Sequence, residues 1–411
     1  MSSYSCRPDE GSEPGVGWNM AKVICGRVQL SVITRQDNRS YIEASDEGWI
    51  SSVEWLYYDE PWWFKFIRRG WLMRQSYYIF WQIGIFLKLR KKSSAIDYDL
   101  IHHVTFGKYW IPSLLVLLGP PVIFGSVGGA EYTPQGLYGV VSKRVKRTER
   151  IKRIIETVIT KTPISTYLYK KVKLSYAATV QTEQALKKLG VKSVKLLPQS
   201  GISSDELCRL KQISASSKNI AFDADFVACS ASRLIGWKGV DISIRGFIQA
   251  LTDLPSRSLL RVVGVGPEMN RLKAMVKNAG AENNIQFLGR LRGLDDVYHV
   301  ISKSDCLLHA ATCEAFGQVC AESLSLGVPI ICWDWSGPGM IVDEKCGIGV
   351  PVNSDEPINA FAEAIVEISQ WSDSRKCSAR DAGVKRITES FLWDAMGTRI
   401  MNDYCEIDKM S

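Results

Sequence analysis

The stretch ADFVACSASRLIGWKGVDISIRGFIQAL, Ala224 to Leu251, decides the fold class. Its first part is a run of small and apolar residues, which predicts a buried strand. The part from Gly239 onward has apolar residues at spacings of three and four, which predicts a helix. A buried strand that passes through a short loop into a helix is the repeating unit of an α/β fold with a parallel sheet.

The same alternation continues towards the C-terminus. SLLRVVGVGP predicts a strand that enters a glycine turn, and EMNRLKAMVKNAG predicts a helix that ends at Gly280. IQFLGRL and DCLLHAA predict two further strands, with the helix LDDVYHVISKS between them. This order predicts a doubly wound sheet covered by helices.

A second α/β pattern precedes this one. Strands are predicted in VQLSVIT, in YDLIHHVTF and in PPVIFGSVGG, and ATVQTEQALKKLGV predicts a strand that passes into a helix. We therefore predict two Rossmann-like domains, 1–198 and 199–389, with the join in LLPQSGISSDELCRL. The last helix, 390–411, has the option of packing back on the first domain.

Composition agrees with two globular domains and excludes several classes. The chain has 411 residues, 46% hydrophobic and 23% charged, and a net charge of +8 that suits anionic partners. Eleven cysteines without a CxxC pair predict reduced thiols in a cytoplasmic protein. The four histidines lack zinc-ligand spacing, so no structural metal is expected. We see neither a signal peptide nor an apolar run that would span a bilayer, which predicts a soluble or monotopic protein.

Ligands of open parallel sheets bind beyond the C-terminal ends of the strands. Arg233, Lys238 and Gly239 follow one predicted strand and suit a pyrophosphate, although two solvated surface cations would give the same pattern. Gly264 and Gly266 follow the next strand and would let a ligand approach the backbone, although a tight turn explains them equally well. A dinucleotide fingerprint would need a third glycine, which is absent.

The segment CEAFGQVCAESLSLGVP, residues 313–329, has two glutamates eight positions apart. Gly317 indicates a loop, followed by a helix from about Val319 to Leu326. Glu314 then precedes the helix and Glu322 lies within it, so both carboxylates can point into one crevice and accept hydrogen bonds from sugar hydroxyls. The simpler interpretation is a surface loop residue and a charge near a helix start.

These four segments, in this order, strongly resemble the motifs of retaining GT-B glycosyltransferases of family 4, also called group 1. The resemblance implies two Rossmann-like domains that face each other across a cleft. It implies that Arg233 and Lys238 bind the donor diphosphate, that Glu322 holds the ribose, and that Glu314 faces the donor sugar. The backbone of Phe316 and Gly317 would assist Glu314. The family needs neither a metal nor another cofactor, so its substrate is the nucleotide-sugar itself.

The start of the chain resembles the N-terminal glycine loop of family members in bacterial polysaccharide assembly. Gly15 and Gly17 are expected just before a helix that begins near Trp18, and the resemblance implies that they approach the donor phosphate. The family has a complete first strand before this loop, whereas only MSSYS precedes it here. We expect either a shortened first strand or a chain that starts inside its coding region.

YDLIHHVTF resembles the strand end that carries a histidine near the reacting centre. Relatives show D-x-x-H-x-H, but this chain has Asp99, His102, His103 and then Val104, so the second histidine is displaced by one position. A one-residue shift reverses the direction of a strand side chain. We favour His103 as catalytic and retain His102, with two core histidines as the alternative.

GSVGGAE resembles a second glycine loop on the acceptor side. Gly128 and Gly129 would allow a close approach, and Glu131 would contact the acceptor. Residues 61–92 contain eight basic residues, no acidic residue and ten aromatics. This block suits a membrane interface beside a lipid-linked acceptor, or else aromatic filling between the domains. The basic run Lys143–Arg153 fits a solvated helix face.

The sequence thus predicts a transferase that moves a hexose from a nucleotide-diphosphate sugar to a glycan, with a lipid-linked acceptor favoured. The setting would be exopolysaccharide, capsule or lipopolysaccharide assembly, in the cytoplasm or at the inner face of the plasma membrane. The alternatives are a small soluble acceptor, or a nucleotide-sugar-binding protein without activity. A sugar-nucleotide epimerase is disfavoured by the glutamate segment, and no nucleic-acid-binding motif is present.

Overall fold

The computed structural model describes residues 1–8, 10–59, 71–91, 98–216 and 224–409. Contacts divide the chain into two compact units. The first unit consists of Met1–Ala130, Arg153–Gly201 and Trp393–Ser411, and the second consists of Glu131–Lys152 and Ile202–Leu392. The segment Glu131–Lys152 therefore belongs with the second unit, although the sequence grouped it with the first.

The first unit contains a parallel sheet. Its strands are β1 (Leu30–Thr34), β2 (Val53–Tyr57), β3 (Ile101–His103), β4 (Val122–Val127), β5 (Leu174–Ala177) and β6 (Val194–Leu196). Two groups of neighbours form, β2-β1 and β3-β4-β5-β6. Ser2 makes parallel bridges to Ile33 of β1 and His103 of β3, so the first residues of the chain stand between the two groups as a minimal strand.

Six helices follow in the order of the chain. They are α1 (Ser12–Cys25), α2 (Arg39–Glu43), α3 (Trp71–Lys91), α4 (Lys143–Thr160), α5 (Pro163–Lys171) and α6 (Val180–Lys188). The division between the units falls within α4. Of the aromatic block 61–92, residues 61–70 and 92 lie outside the described residues. Tyr77, Tyr78 and Trp81 of α3 are buried in the core of the first unit.

The second unit contains six parallel strands in the order β12-β11-β10-β7-β8-β9. Their bounds are β7 (Phe226–Ala231), β8 (Ser258–Val263), β9 (Ile285–Gly289), β10 (Cys306–His309), β11 (Ile330–Trp333) and β12 (Gly347–Val350). The sequence order reverses beside β7, as in doubly wound folds. The predicted strands of this half are therefore confirmed.

The helices of the second unit form two contacting groups, as expected for a sheet that is covered on both faces. One group contains α8 (Val240–Ala250), α9 (Met269–Asn278) and α13 (Pro357–Ser369). The other contains α7 (Ser204–Ser216), α10 (Leu294–Ser302), α11 (Gln318–Ser325) and α14 (Asp373–Arg386), and the short α12 (Ser336–Ile341) follows β11.

The last helix, α15 (Trp393–Asp408), packs on the first unit. Its residues Met396 and Ile400 join the apolar core beside α1, and the hydroxyl of Tyr176 in β5 donates to Asp403 over 2.7 Å. Packing back on the first half was one of the options that the sequence left open. Among the described residues, none of the helices combines the length and the apolar character needed to cross a bilayer.

Candidate functional site

The loop after β7 presents two cations. Arg233 is exposed, and its guanidinium has no hydrogen bond or ion pair with another described residue. Lys238 ends a 3₁₀ turn, Gly236–Lys238, and Gly239 then takes a left-handed conformation with φ of 66°. A Cβ at Gly239 would lie 1.9 Å from the carbonyl oxygen of Ala310, which follows β10. Glycine therefore lets the lysine turn pack directly against the loop after β10.

Glu314 lies in that loop and is held at both carboxylate oxygens. Lys238 Nζ contacts Oε1, and Nε2 of His309 is 2.7 Å from Oε2. The hydroxyl of Ser336 donates to the backbone carbonyl of Glu314 over 2.9 Å. Burial alone would raise the pKa of Glu314, but His309 and Lys238 outweigh it and lower the pKa to about 2. The residue is therefore an ionised carboxylate in a nearly dry position.

The turn from Glu314 into α11 agrees with the predicted loop and helix. Gly317 caps the helix with φ of 90°, and α11 spans Gln318–Ser325, within one residue of the predicted bounds. A Cβ at Gly337 would lie 2.4 Å from the backbone nitrogen of Phe316. The backbone at Phe316 and Gly317 is thus fixed by close packing against the start of α12.

Glu322 has the opposite environment to Glu314. Burial and the neighbouring Glu206 of α7 raise the pKa of Glu322 to about 8, although hydrogen bonds with Tyr298 and Gln318 lower it in part. The hydroxyl of Tyr298 also lies 3.5 Å from Oε1 of Glu206. One segment therefore provides an ionised carboxylate and a carboxyl that is protonated over most of the neutral range, with different hydrogen-bonding capacities.

Gly264 and Gly266 pack against the Arg233 loop. A Cβ at Gly264 would lie 1.9 Å from the carbonyl oxygen of Ser232, and one at Gly266 would lie 2.3 Å from that of Leu234. The backbone nitrogen of Leu234 donates to the carbonyl of Val265 over 3.0 Å. These contacts favour the tight-turn interpretation, in which the glycines hold the cationic loop in place.

The expected start of the first helix is wrong. We placed Gly15 and Gly17 before a helix beginning near Trp18, but α1 begins at Ser12 and includes both glycines. A Cβ at Gly15 would lie 2.1 Å from the carbonyl oxygen of Glu10, and one at Gly17 would lie 2.1 Å from that of Ser5. The two glycines therefore let α1 pack tightly on the preceding chain, and their approach to a donor phosphate stays a prediction.

His102 and His103 are both buried in the first unit. The ring nitrogens of His102 lie 2.6 Å from the hydroxyl of Tyr404 and 2.6 Å from the carbonyl of Gly125. Those of His103 lie 2.5 Å from the hydroxyl of Tyr78 and 2.7 Å from that of Ser113. Burial lowers the pKa of His102 to about 3 and that of His103 to about 4. These contacts are those of core histidines, and a catalytic role for either stays a prediction.

The second glycine loop divides between the two units. In the first unit, Gly128 donates from its nitrogen to the carbonyl of Gly107 over 2.8 Å, and the following Gly129 has φ of 112°. Glu131 belongs to the second unit, where it is buried and its carbonyl accepts from the thiol of Cys313 over 2.6 Å. Glu131 therefore lies directly beside the Glu314 loop, and its contact with an acceptor stays a prediction.

Three residues of this arrangement were missed at the sequence level. His309 is the last residue of a strand that was predicted, five positions before Glu314, so its place at a strand end was an available signal. Glu206 and Tyr298 come from two helices distant in sequence, and no local pattern joins them to Glu322. Among the described residues, no group of three or more His, Cys, Asp or Glu could hold a metal ion.

Comparisons with known proteins agree with this geometry. Residues 212–380 match the family model of glycosyl transferases group 1. The chain is 32% identical over 169 residues to the UDP-N-acetylglucosamine–peptide N-acetylglucosaminyltransferase GtfA subunit of Streptococcus gordonii. That alignment covers 40% of this chain and 32% of the relative, and the chain spans about a third of the length of the first curated relatives that it matches.

Solved structures match over nearly the whole chain. Sucrose-phosphate synthase from Thermosynechococcus elongatus is similar with a TM-score of 0.64 and 17% identity, over 98% of this chain and 94% of that one. WaaG, a glycosyltransferase involved in lipopolysaccharide biosynthesis, is similar with a TM-score of 0.58 and 18% identity, over 97% of each chain. The fold is therefore GT-B, as predicted from the sequence.

Proposed function

We propose that this protein is a retaining glycosyltransferase of family 4 that moves a hexose from a nucleotide-diphosphate sugar to a glycan. The observation that carries the proposal is the arrangement of Lys238, Glu314 and His309, with the exposed guanidinium of Arg233 on the same loop as Lys238. The match of residues 212–380 to a glycosyltransferase family supports it independently.

Arg233 and Lys238 would neutralise the donor diphosphate. In a transfer reaction the bond from the sugar to the diphosphate breaks, and negative charge grows on the leaving phosphate oxygen. Preorganised cations at that position stabilise the transition state more than the ground state. Lys238 is already held by Glu314, so it is oriented before the donor arrives. We propose that these two side chains replace a metal, and that the reaction needs no cofactor.

The two glutamates would bind the two sugars of the donor. Glu314 is ionised and has its oxygens shared with Lys238 and His309, so it would accept hydrogen bonds from hexose hydroxyls with an oriented carboxylate. Glu322 would pair with the ribose hydroxyls, with Phe316 and Gly317 supplying backbone contacts to the hexose. The Streptococcus relative has UDP-N-acetylglucosamine in its name, which favours a UDP-linked donor.

For the acceptor, we propose a lipid-linked glycan in exopolysaccharide, capsule or lipopolysaccharide assembly. WaaG, whose fold this chain shares, is involved in lipopolysaccharide biosynthesis. All eleven cysteines are free, which suits the reducing cytoplasmic side of a membrane. Residues 61–92 would face that membrane in part, through segments beyond the buried aromatics of α3.

The first experiment tests donor binding by thermal unfolding. UDP, GDP, ADP and their hexose conjugates are added without metal to the unmodified protein, to Arg233→Ala and to Glu322→Ala. A nucleotide at a hundred times its dissociation constant should stabilise the protein by roughly 2.7 kcal/mol. We expect one nucleotide series to do so and both variants to lose the effect.

The control is Lys277→Ala, which removes an exposed cation from the far end of α9. It should keep the full stabilisation. If no nucleotide stabilised the folded protein, or if Arg233→Ala and Lys277→Ala behaved alike, the donor site proposed here would be wrong.

The second experiment tests the reaction. Once the nucleotide is known, its hexose conjugates are incubated with a lipid-linked oligosaccharide and, separately, with soluble sugars, and the anomeric configuration of the product is read by NMR. We expect transfer to the lipid-linked acceptor with the anomeric configuration of the donor. An inverted product would contradict the retaining mechanism, and transfer only to a soluble sugar would contradict the acceptor. Donor binding without any transfer would favour a nucleotide-sugar-binding protein.

A further inference from the structure

One surface of the first unit is both apolar and basic. We define the basic hairpin as residues 153–171, which comprise the C-terminal half of α4 and the whole of α5. Four large apolar side chains of the basic hairpin are more than half exposed. They are Ile154 (57%), Val158 (65%), Ile164 (70%) and Tyr167 (53%). Exposure of several large apolar groups within so short a stretch is unusual and indicates a binding surface.

The apolar residues follow helical spacing, so each helix presents them on one face. Ile154 and Val158 are four residues apart in α4, and Ile164 and Tyr167 are three apart in α5. The opposite sides of the helices are in the core: Leu168 and Tyr169 are buried, and Ile155 packs beside them. The exposed apolar faces are therefore additional to the packing that stabilises the unit.

The charge of the basic hairpin has one sign. Its exposed charged residues are all cations, namely Arg153, Lys161, Lys170 and Lys171. Its single carboxylate, Glu156, is buried and accepts a hydrogen bond from the hydroxyl of Tyr109 over 3.0 Å. The surface therefore combines apolar side chains with positive charge and exposes no carboxylate.

The surface continues onto neighbouring elements of the same unit. The 3₁₀ helix Leu114–Leu117 contacts both α5 and α3, and its Leu117 is exposed. In α3, Ile83 and Leu87 are exposed four residues apart, and the helix ends in the exposed cations Arg90 and Lys91. The same combination of apolar and basic side chains thus occurs on elements that touch each other.

We propose that the basic hairpin docks the protein on an anionic lipid surface. Ile154, Val158, Ile164 and Tyr167 insert among the headgroups, and the lysines lie against the lipid phosphates. Apolar residues flanked by lysine and arginine are what an interfacial helix needs, because each cation near an anionic membrane adds to the apolar contribution. A second copy of this chain fits less well, since it would bring the same positive charges together.

This proposal does not depend on the proposed transfer reaction. None of the residues of the basic hairpin belongs to the candidate site, so docking and donor binding can fail separately. Docking would nevertheless hold the enzyme where a lipid-linked acceptor lies. The surface differs from the basic run Lys143–Arg153, which the sequence suggested to be a solvated helix face, because it lies on the following residues and includes exposed apolar groups.

The test is co-sedimentation of the full chain with vesicles. One set contains phosphatidylcholine and phosphatidylglycerol, and the other contains phosphatidylcholine alone. We expect binding to the anionic vesicles, weakened by salt. The triple variant Lys161→Gln/Lys170→Gln/Lys171→Gln should bind them on the order of a hundredfold more weakly, because each cation contributes about 1 kcal/mol near such a surface. Val158→Ser/Ile164→Ser should weaken binding at least tenfold, since buried apolar side chains contribute more than 1 kcal/mol each.

The matched control removes three exposed lysines of the second unit, in Lys211→Gln/Lys273→Gln/Lys277→Gln, and it should retain most of the binding. Equal losses in the two triple variants would show a general charge effect and overturn the proposal. So would unchanged vesicle binding in Val158→Ser/Ile164→Ser. Ultracentrifugation without lipid tests the other occupant: a dimer that Val158→Ser/Ile164→Ser dissociates, with vesicle binding intact, would assign the surface to a second copy. Nucleotide-dependent thermal stabilisation should be the same in all these variants.

Discussion

His309 and Glu314 are joined side chain to side chain, with Nε2 of the histidine 2.7 Å from Oε2 of the glutamate. The contact links the end of β10 to the loop that leads into α11. Because Lys238 holds the other carboxylate oxygen, both oxygens of Glu314 are fixed by groups from two different strand ends. Glu314 is thereby oriented before any ligand binds, which is what a residue that must position a sugar needs.

We expect His309→Ala to slow catalysis more than it weakens donor binding. The substitution releases one oxygen of Glu314, so the carboxylate can rotate. Misplaced positioning groups commonly cost about a hundredfold in rate. Steady-state kinetics should show kcat falling by one to two orders of magnitude, roughly, with a much smaller change in KM for the nucleotide-sugar.

His309→Gln keeps a side-chain amide that can donate to Glu314, and it should recover part of the lost rate. His299→Ala removes the other histidine of the second unit and should leave kcat unchanged. If His309→Gln were as slow as His309→Ala while both proteins were fully folded, the positioning role of His309 would be refuted.

Lys238→Ala should abolish most of the activity, whereas Lys238→Met should do the same while preserving more of the packing. Loss of one preorganised charge opposite a developing anion lowers kcat by about a hundred- to a thousandfold. The pKa of Glu314 would rise as well, because Lys238 is one of the two groups that lower it. The measurement is transfer rate at saturating donor, and a fall of less than tenfold in both variants would argue against a role in leaving-group stabilisation.

Gly239 should be much less tolerant of alanine than Gly280. Both have left-handed backbone, with φ of 66° and 65°, so both substitutions carry a strain of about 1 to 2 kcal/mol. Gly280 has open space where a Cβ would go, but at Gly239 the Cβ would lie 1.9 Å from the carbonyl oxygen of Ala310. Gly239→Ala must therefore also move backbone at the candidate site.

Chemical denaturation should show Gly239→Ala losing at least about 1 kcal/mol more than Gly280→Ala, as expected when a substitution adds overpacking to strain. Gly239→Ala should also weaken nucleotide binding, while Gly280→Ala should not. Equal losses of unfolding free energy would mean that the loop after β10 yields easily and that the close approach is unimportant.

The sheet of the second unit could be predicted because its signals are local. Continuous apolar runs such as the one through Phe226 mark buried parallel strands, and glycine or a polar group marks each strand end. Arg233, Lys238, Glu314 and Glu322 could be selected for the same reason, since each lies at or just beyond such an end. Local patterns therefore identified which residues lie near the edge of the sheet.

Local patterns were insufficient where packing between distant segments decides the outcome. Gly15 and Gly17 disfavour a helix by about 1 kcal/mol each, yet α1 includes both because the carbonyls of Glu10 and Ser5 leave no room for a Cβ. The assignment of Glu131 to the second unit rests on its contact with Cys313, far away in sequence. The partners of Glu314 and Glu322 are likewise set by tertiary structure.

Acid should destabilise the first unit through its two buried histidines. Burial lowers the pKa of His102 from 6.5 to about 3 and that of His103 to about 4. Between 6.5 and these values the unfolded chain binds protons that the folded protein does not, so stability falls as the pH falls through that range. Thermal unfolding should therefore show a midpoint that drops below pH 6.5.

The variant His102→Gln/His103→Gln should have a lower midpoint at neutral pH but a flatter profile on the acid side. The control is His299→Ala, which leaves both buried rings in place and should keep the slope of the unmodified protein. A double variant with the full acid-dependent loss would show that other groups cause it.

Glu322 should make the second unit less stable as the pH rises, in contrast to the histidines. Burial and Glu206 raise the pKa of Glu322 from 4.5 to about 8. Between these values the folded protein holds a proton that the unfolded chain has released, so the free energy of unfolding decreases with increasing pH. Glu322→Gln imitates the protonated carboxyl at every pH and should remove this decrease.

The comparison that decides the point uses unfolding midpoints near pH 4.5 and above pH 8. Glu322→Gln should gain stability over the unmodified protein at the higher pH but not at the lower one. Glu206→Gln should show part of the same gain, because it removes the carboxylate beside Glu322, whereas the exposed Glu282→Gln should show none. If Glu322→Gln and Glu282→Gln had parallel profiles, Glu322 would be ionised throughout, and the ribose would meet a charged carboxylate at neutral pH.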